Sequence, residues 1–214
     1  MLKIEQRSIQ GYKGMEVPFQ YIKNESESKS LAIMLPGAGY TTDSPLFHYS
    51  TELFRNRSVD VLEVNYQYKN KEYDDFTMEE LSEAIKYDVK KIFDQELSNT
   101  PYENFYIIGK SLGTIAMSSE LQRPLFKNAK VVWLTPLFQQ DDVFQAMLAS
   151  THEALCFIGD ADRCYIEERY NQVMNKPTMT SKLFSGVDHS MDCHNDVSGS
   201  IDVLKSVISD IQNF

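Results

Sequence analysis

Cysteine is scarce in this chain: there are three, Cys156, Cys164 and Cys193. An odd number without metal-type spacing excludes a disulfide framework or a cysteine-held zinc site as the basis of the fold. It points to a reducing, cytoplasmic setting. Positive charge is also in deficit, with 21 Lys and Arg against 31 Asp and Glu and a net charge of −10. No basic stripe appears, so nucleic acid is not an expected partner. The acidity serves solubility and disfavours highly anionic substrates unless a local basic group compensates. Long apolar runs are missing as well. None approaches the about 18 residues that span a bilayer, so no membrane partner is expected. The N-terminal residues Met1-Leu2-Lys3-Ile4-Glu5-Gln6-Arg7 lack the apolar stretch of a signal peptide.

What is present suits a packed globule. The chain has 214 residues, 42% of them hydrophobic, with 12 Tyr and 12 Phe. That length predicts one domain over 1–214 with a single sizeable core. No repeat or low-complexity tract interrupts it. Residues 2–9 and 15–22 read as two strands joined around Gly11-Tyr12-Lys13-Gly14. The apolar run Leu31-Ala32-Ile33-Met34-Leu35 has the pattern of a strand buried on both faces. Pro45 opens a helix within 45–57, with Asp43 or Ser44 as its cap. Strand 59–66 follows. Thr77 with Glu80 forms a capping-box signature for a helix whose apolar positions are Leu81, Ile85, Val89 and Ile92. Strand 105–108, helix 112–122, strand 130–134, helix 140–149, strand 154–158, helix 164–175, strand 181–184 and helix 198–213 complete the chain. Strands alternating with helices predict an α/β fold, a doubly wound and mostly parallel sheet. The N-terminal strand is expected at a sheet edge, free or covered by a second copy. The link between strands 130–134 and 154–158 holds about one helix, which leaves no room for a large cap domain.

One segment carries chemistry. Gly109-Lys110-Ser111-Leu112-Gly113 follows the strand Phe105-Tyr106-Ile107-Ile108 and opens a helix. A Gly-x-Ser-x-Gly in that context is a nucleophile elbow. It is a sharp turn in which flanking glycines avoid collision and the serine Oγ is exposed beside a helix N-terminus. Ligands of such sheets gather at the C-terminal strand ends. Three further groups fall there: Pro36-Gly37-Ala38-Gly39-Tyr40, Gly159-Asp160-Ala161-Asp162, and Val187-Asp188-His189-Ser190-Met191.

The order Ser, Asp, His with these strand contexts resembles the α/β-hydrolase superfamily, over nearly the whole chain. The match is tightest to small, capless hydrolases of the bacterial carboxylesterase or dienelactone-hydrolase type. The resemblance implies Ser111 as nucleophile. It implies Asp162 as acid, in a Gly-x-x-Asp pattern, and His189 as base, in a Gly-x-x-His pattern with Gly186. Leu112 would give one oxyanion N–H and Ala38 or Gly39 the other, although proline stands where lipase-like loops often carry histidine. No metal or organic cofactor is implied. The expected activity is hydrolysis of carboxylic esters or thioesters of small to medium acyl groups. An acyltransferase or peptidase would share the acyl-enzyme, whereas a non-catalytic binding module would not need all three side chains.

Rivals within the chain are few. His194 lies five residues beyond His189, while His48 and His152 have the settings of structural or solvated residues. Asp160 competes with Asp162, and the loser is expected to cap the helix near Tyr165. Lys110 is expected to face solvent or pair with an acid; alternatively, with Arg163, it would bind an anionic substrate group. Tyr40, Tyr66 and Tyr68 either wall a pocket or pack in the core. Cys164 is expected to be a buried or half-buried thiol. Cys193 lacks the setting of a nucleophile.

Overall fold

The computed structural model describes residues 3–214, so the predicted strand start at Leu2 lies outside the described residues. Among the described residues, eight strands form one sheet in the order β1-β2-β4-β3-β5-β6-β7-β8. They are β1 (Lys3–Gln10), β2 (Glu16–Lys23), β3 (Ser30–Leu35), β4 (Asp60–Val64), β5 (Asn104–Lys110), β6 (Lys130–Leu134), β7 (Ala154–Gly159) and β8 (Met179–Phe184). β1 pairs antiparallel with β2, and β2 antiparallel with β4. Every pairing from β4 to β8 is parallel. The apolar runs are therefore the central strands. Leu31 to Leu35 are fully buried because helices cover both faces.

The helices are α1 (Pro45–Asn56), α2 (Met78–Glu96), α3 (Gly113–Glu120), α4 (Asp141–Ala149), α5 (Glu167–Met174) and α6 (Val197–Asn213). Two apolar clusters divide them. Ile85, Val89 and Ile92 of α2 pack with Ile115, Val143 and Val173 of α3, α4 and α5 on one face. Leu46, Phe47 and Phe54 of α1 pack with Val203, Val207 and Ile211 of α6 on the other. α4 alone joins β6 to β7, so no cap is inserted there. Among the described residues, no helix is long and apolar enough to cross a membrane.

Local signals explain most boundaries. Thr77 accepts from the Glu80 N–H at 3.1 Å and Glu80 accepts from the Thr77 N–H at 3.3 Å, a closed capping box. Ser44 caps α1 by position, without a side-chain bond. β1 lies at one edge and carries interleaved charge. Its Glu5 pairs with Lys3 and Arg7, each at 2.6 Å, which blunts strand addition.

The chain leaves β3 for β4 on one side and returns to β5 on the other. That reversal opens a crevice at the C-terminal ends of β3 and β5. The loop after β3 and the turn after β5 meet there.

Candidate active site

Ser111 occupies the turn between β5 and α3 with a φ of 51°. This left-handed conformation is uncommon for a residue with a side chain. Its N–H donates to the Leu134 carbonyl of β6 at 3.0 Å, and its carbonyl accepts from the Thr114 N–H at 2.9 Å. A Cβ on Gly113 would overlap the Leu35 carbonyl, and one on Gly109 would meet Met117. The tight approach of strand, turn and helix thus requires glycine on both sides of Ser111.

The turn after β7 presents Asp162. It is buried, and its Oδ1 accepts the Cys164 N–H at 2.8 Å. Its carbonyl takes the Tyr165 N–H at 2.9 Å. These bonds hold 159–165 as a turn, so α5 starts at Glu167 and not near 164 as the sequence predicts. Asp160 does not cap α5 either. Its carboxylate accepts the Gly186 N–H at 2.6 Å and ties this turn to the end of β8.

His189 stands in the loop after β8. Its Nδ1 lies 2.8 and 2.9 Å from the two Asp162 oxygens, and its Nε2 lies 2.7 Å from Ser111 Oγ. An ionised carboxylate only accepts, so Nδ1 carries the proton and Nε2 is left to accept from the serine. Burial pushes the Asp162 carboxyl up, but hydrogen bonds from His189 and the Cys164 N–H outweigh it and hold the carboxyl below its ordinary value. Burial also works to lower the His189 pKa. Asp162 and the adjacent Cys164 thiol outweigh that and raise it, with the Lys110 charge opposing them. His194 and His48 are exposed away from this site, and His152 is bound to Ser150 and to the Phe126 carbonyl.

Lys110 departs from the sequence expectation. It neither faces solvent nor pairs with an acid, being 1% exposed. Its ammonium donates to Thr135 Oγ1 at 2.9 Å and to the His189 carbonyl at 2.6 Å, and lies 4.7 Å from the centre of the Tyr40 ring. Burial pulls its pKa down to about 8, against the pull of Asp162 and Asp188. The bond to the His189 carbonyl pins the histidine loop to the end of β5.

The loop after β3 completes the site. A pocket of about 240 Å³ is lined by Gly37–Tyr40, Lys69, Lys110, Ser111, Arg163, His189 and Ser190. Among the described residues, none accepts from the main-chain N–H of Leu112, Ala38 or Gly39. Tyr40 thus lines the pocket, whereas Tyr66 and Tyr68 are core residues bonded to the Pro36 carbonyl and to Asp88. Lys69 was not singled out in the sequence. A larger hollow of about 420 Å³ is lined by Ser150 and His152, bonded at 2.9 Å, but there a main-chain carbonyl, that of Phe126, and not a carboxylate, holds the other ring nitrogen. Ligand atoms of Asp162, Cys164 and His189 lie within 4.8 Å of one another, a spacing a metal ion could use. Here Asp162 and His189 are bonded to each other, and Cys164 accepts from Gln139 at 3.2 Å.

No family model and no curated protein matches this sequence. Solved structures do. An esterase from Pyrococcus furiosus aligns with a TM-score of 0.70 at 14% identity, over 99% of this chain and 91% of its own. An alpha-beta serine hydrolase homologue from Coxiella burnetii aligns at 0.69 and 14%, over 96% of both chains. Est1E from Butyrivibrio proteoclasticus, solved with ferulic acid bound, aligns at 0.70 and 14%, over 94% of this chain and 95% of its own. At such identity the likeness is one of fold.

Proposed function

We propose that this chain, which has the α/β-hydrolase fold without a cap domain, is a serine hydrolase that cleaves carboxylic esters or thioesters of small to medium acyl groups. The carrying observation is the unbroken hydrogen-bonded series from Asp162 through His189 to Ser111. An esterase and a serine hydrolase homologue among its structural neighbours support the reading.

In this mechanism His189 Nε2 takes the Ser111 proton as Oγ attacks the acyl carbon. Asp162 holds the tautomer and stabilises the imidazolium. The free N–H of Leu112 and that of Ala38 or Gly39 receive the oxyanion, and losing one such donor typically costs about 3 kcal/mol. The imidazolium then gives its proton to the leaving oxygen or sulfur, and the ester or thioester bond breaks. Water, deprotonated by His189, attacks the acyl-enzyme and releases the acid and free Ser111.

The test is fluorophosphonate labelling with peptide mapping, alongside short-chain ester turnover. Wild type is expected to carry the label on Ser111. Ser111→Ala and His189→Ala are expected to lose both label and turnover, the latter by at least about 10⁴-fold. An unlabelled wild type, or a Ser111→Ala variant that still hydrolyses esters, sinks the assignment.

A further inference from the structure

We propose that the pocket over Ser111 selects esters that carry a carboxylate a few bonds from the scissile carbonyl, and that Lys69 and Arg163 bind that carboxylate. This rests on the serine-hydrolase reading and names its substrate class. The chain as a whole carries a net charge of −10, yet the pocket lining contains no Asp or Glu and contains Lys69, Lys110 and Arg163. A cationic pocket on an acidic protein is a local feature, and the excess negative charge elsewhere does not account for it.

Three of the neighbouring acids are engaged elsewhere, while Asp192 lies outside the lining, near enough to act on Lys110 and Tyr40. Asp162 holds His189, and Asp160 accepts from Gly186. Asp188 accepts from the main-chain N–H groups of Ser190 at 2.8 Å and Asp192 at 3.1 Å. Lys110 is engaged too, with Thr135, the His189 carbonyl and the Tyr40 ring. It adds charge to the pocket floor while its donors are occupied. Lys69 and Arg163 differ: both are exposed, and neither has an ion-pair or hydrogen-bond partner among the described residues.

Their placement is specific. Lys69 follows β4 and Arg163 follows β7, and β5, which delivers Ser111, lies between those strands in the sheet. The two residues therefore come from strands on either side of the one that delivers Ser111, and both line its pocket. The Lys69 side chain lies across the main chain of Gly39. A Cβ there would stand 3.1 Å from Lys69 Cδ and would overlap Cε and Nζ. Glycine at this position gives the lysine its path over the loop that bears the free N–H groups. A carboxylate between these donors gains charge-assisted hydrogen bonds. A volume of about 240 Å³ keeps it close to the reacting carbonyl.

The test compares monoethyl glutarate with diethyl glutarate by product formation at neutral pH. Wild type is expected to favour the monoanion in kcat/KM by about tenfold or more. That ratio is expected to fall toward unity in the Lys69→Ala/Arg163→Gln double variant. A wild-type preference for the diester, or a ratio kept by the double variant, overturns the proposal while leaving the hydrolase reading intact. So do two inert esters on a protein whose Ser111 takes the fluorophosphonate. Two inert esters with no label on Ser111 overturn the hydrolase reading and this inference with it.

Discussion

On the proposed mechanism His189 acts as a base only when neutral, so its surroundings set the acid limb of activity. Burial opposes the charged ring, while Asp162 and the Cys164 thiol favour it and prevail. The kcat/KM for a neutral ester should therefore rise through a midpoint above the ordinary imidazole value of 6.5. Lys110 is the cation that resists this shift. Lys110→Met should move the midpoint further up and lower kcat, because the histidine loop loses its tie to β5. An unchanged midpoint would refute the electrostatic role. The same ammonium burdens the fold. With a folded pKa of about 8 against an ordinary 10.5, the unfolded chain holds a proton that the fold has released between those values. Stability contributed here therefore grows as pH rises through that window, and the penalty is complete below it. Lys110→Met should melt no lower than wild type at pH 7. Ser111, Asp162 and His189 were legible as a set because each sits just after a recognisable strand. The burial of Lys110 was not, since Thr135 and the His189 carbonyl come from distant segments. Nor was Lys69, whose only trace is the glycine at position 39 that makes room for it.

At the scale of elements, local chemistry made α2 readable. Thr77 and Glu80 close its first turn reciprocally, and Thr77→Ala should cost about 1 kcal/mol in urea unfolding with kcat unchanged. A larger loss, or a fall in kcat, would mean that Thr77 does more than cap. Boundaries slipped where non-local bonds override periodicity. The strand predicted over 59–66 ends at Val64: one step on, Pro18 of β2 accepts from the Asn65 N–H at 2.9 Å but has no N–H to return, so the ladder stops. The helix predicted from 164 starts late because Asp162 organises its own turn. Asp88 was invisible as a structural centre. Wholly buried on α2, it accepts from the Tyr12 N–H and the Tyr68 hydroxyl, each at 2.6 Å, and so ties the turn of the first hairpin and the segment after β4 to α2.

For the molecule as a whole, the missing cap decides how substrate arrives. α4 alone spans β6 to β7, and the pocket of about 240 Å³ opens directly to solvent. On the proposed function, no lid has to move before an ester reaches Ser111. The rate on tributyrin should pass smoothly through its solubility limit, and a jump at that limit would argue against an open site. The strand order has another consequence, which concerns synthesis. His189 follows Ser111 by 78 residues, and the segments that hold them meet only once β8 has closed the sheet edge. A nascent chain that has emerged as far as Asp162 carries the proposed nucleophile and acid but not the proposed base. On the proposed mechanism, such a chain is chemically silent on the ribosome, and turnover begins only when its last segments are released and docked.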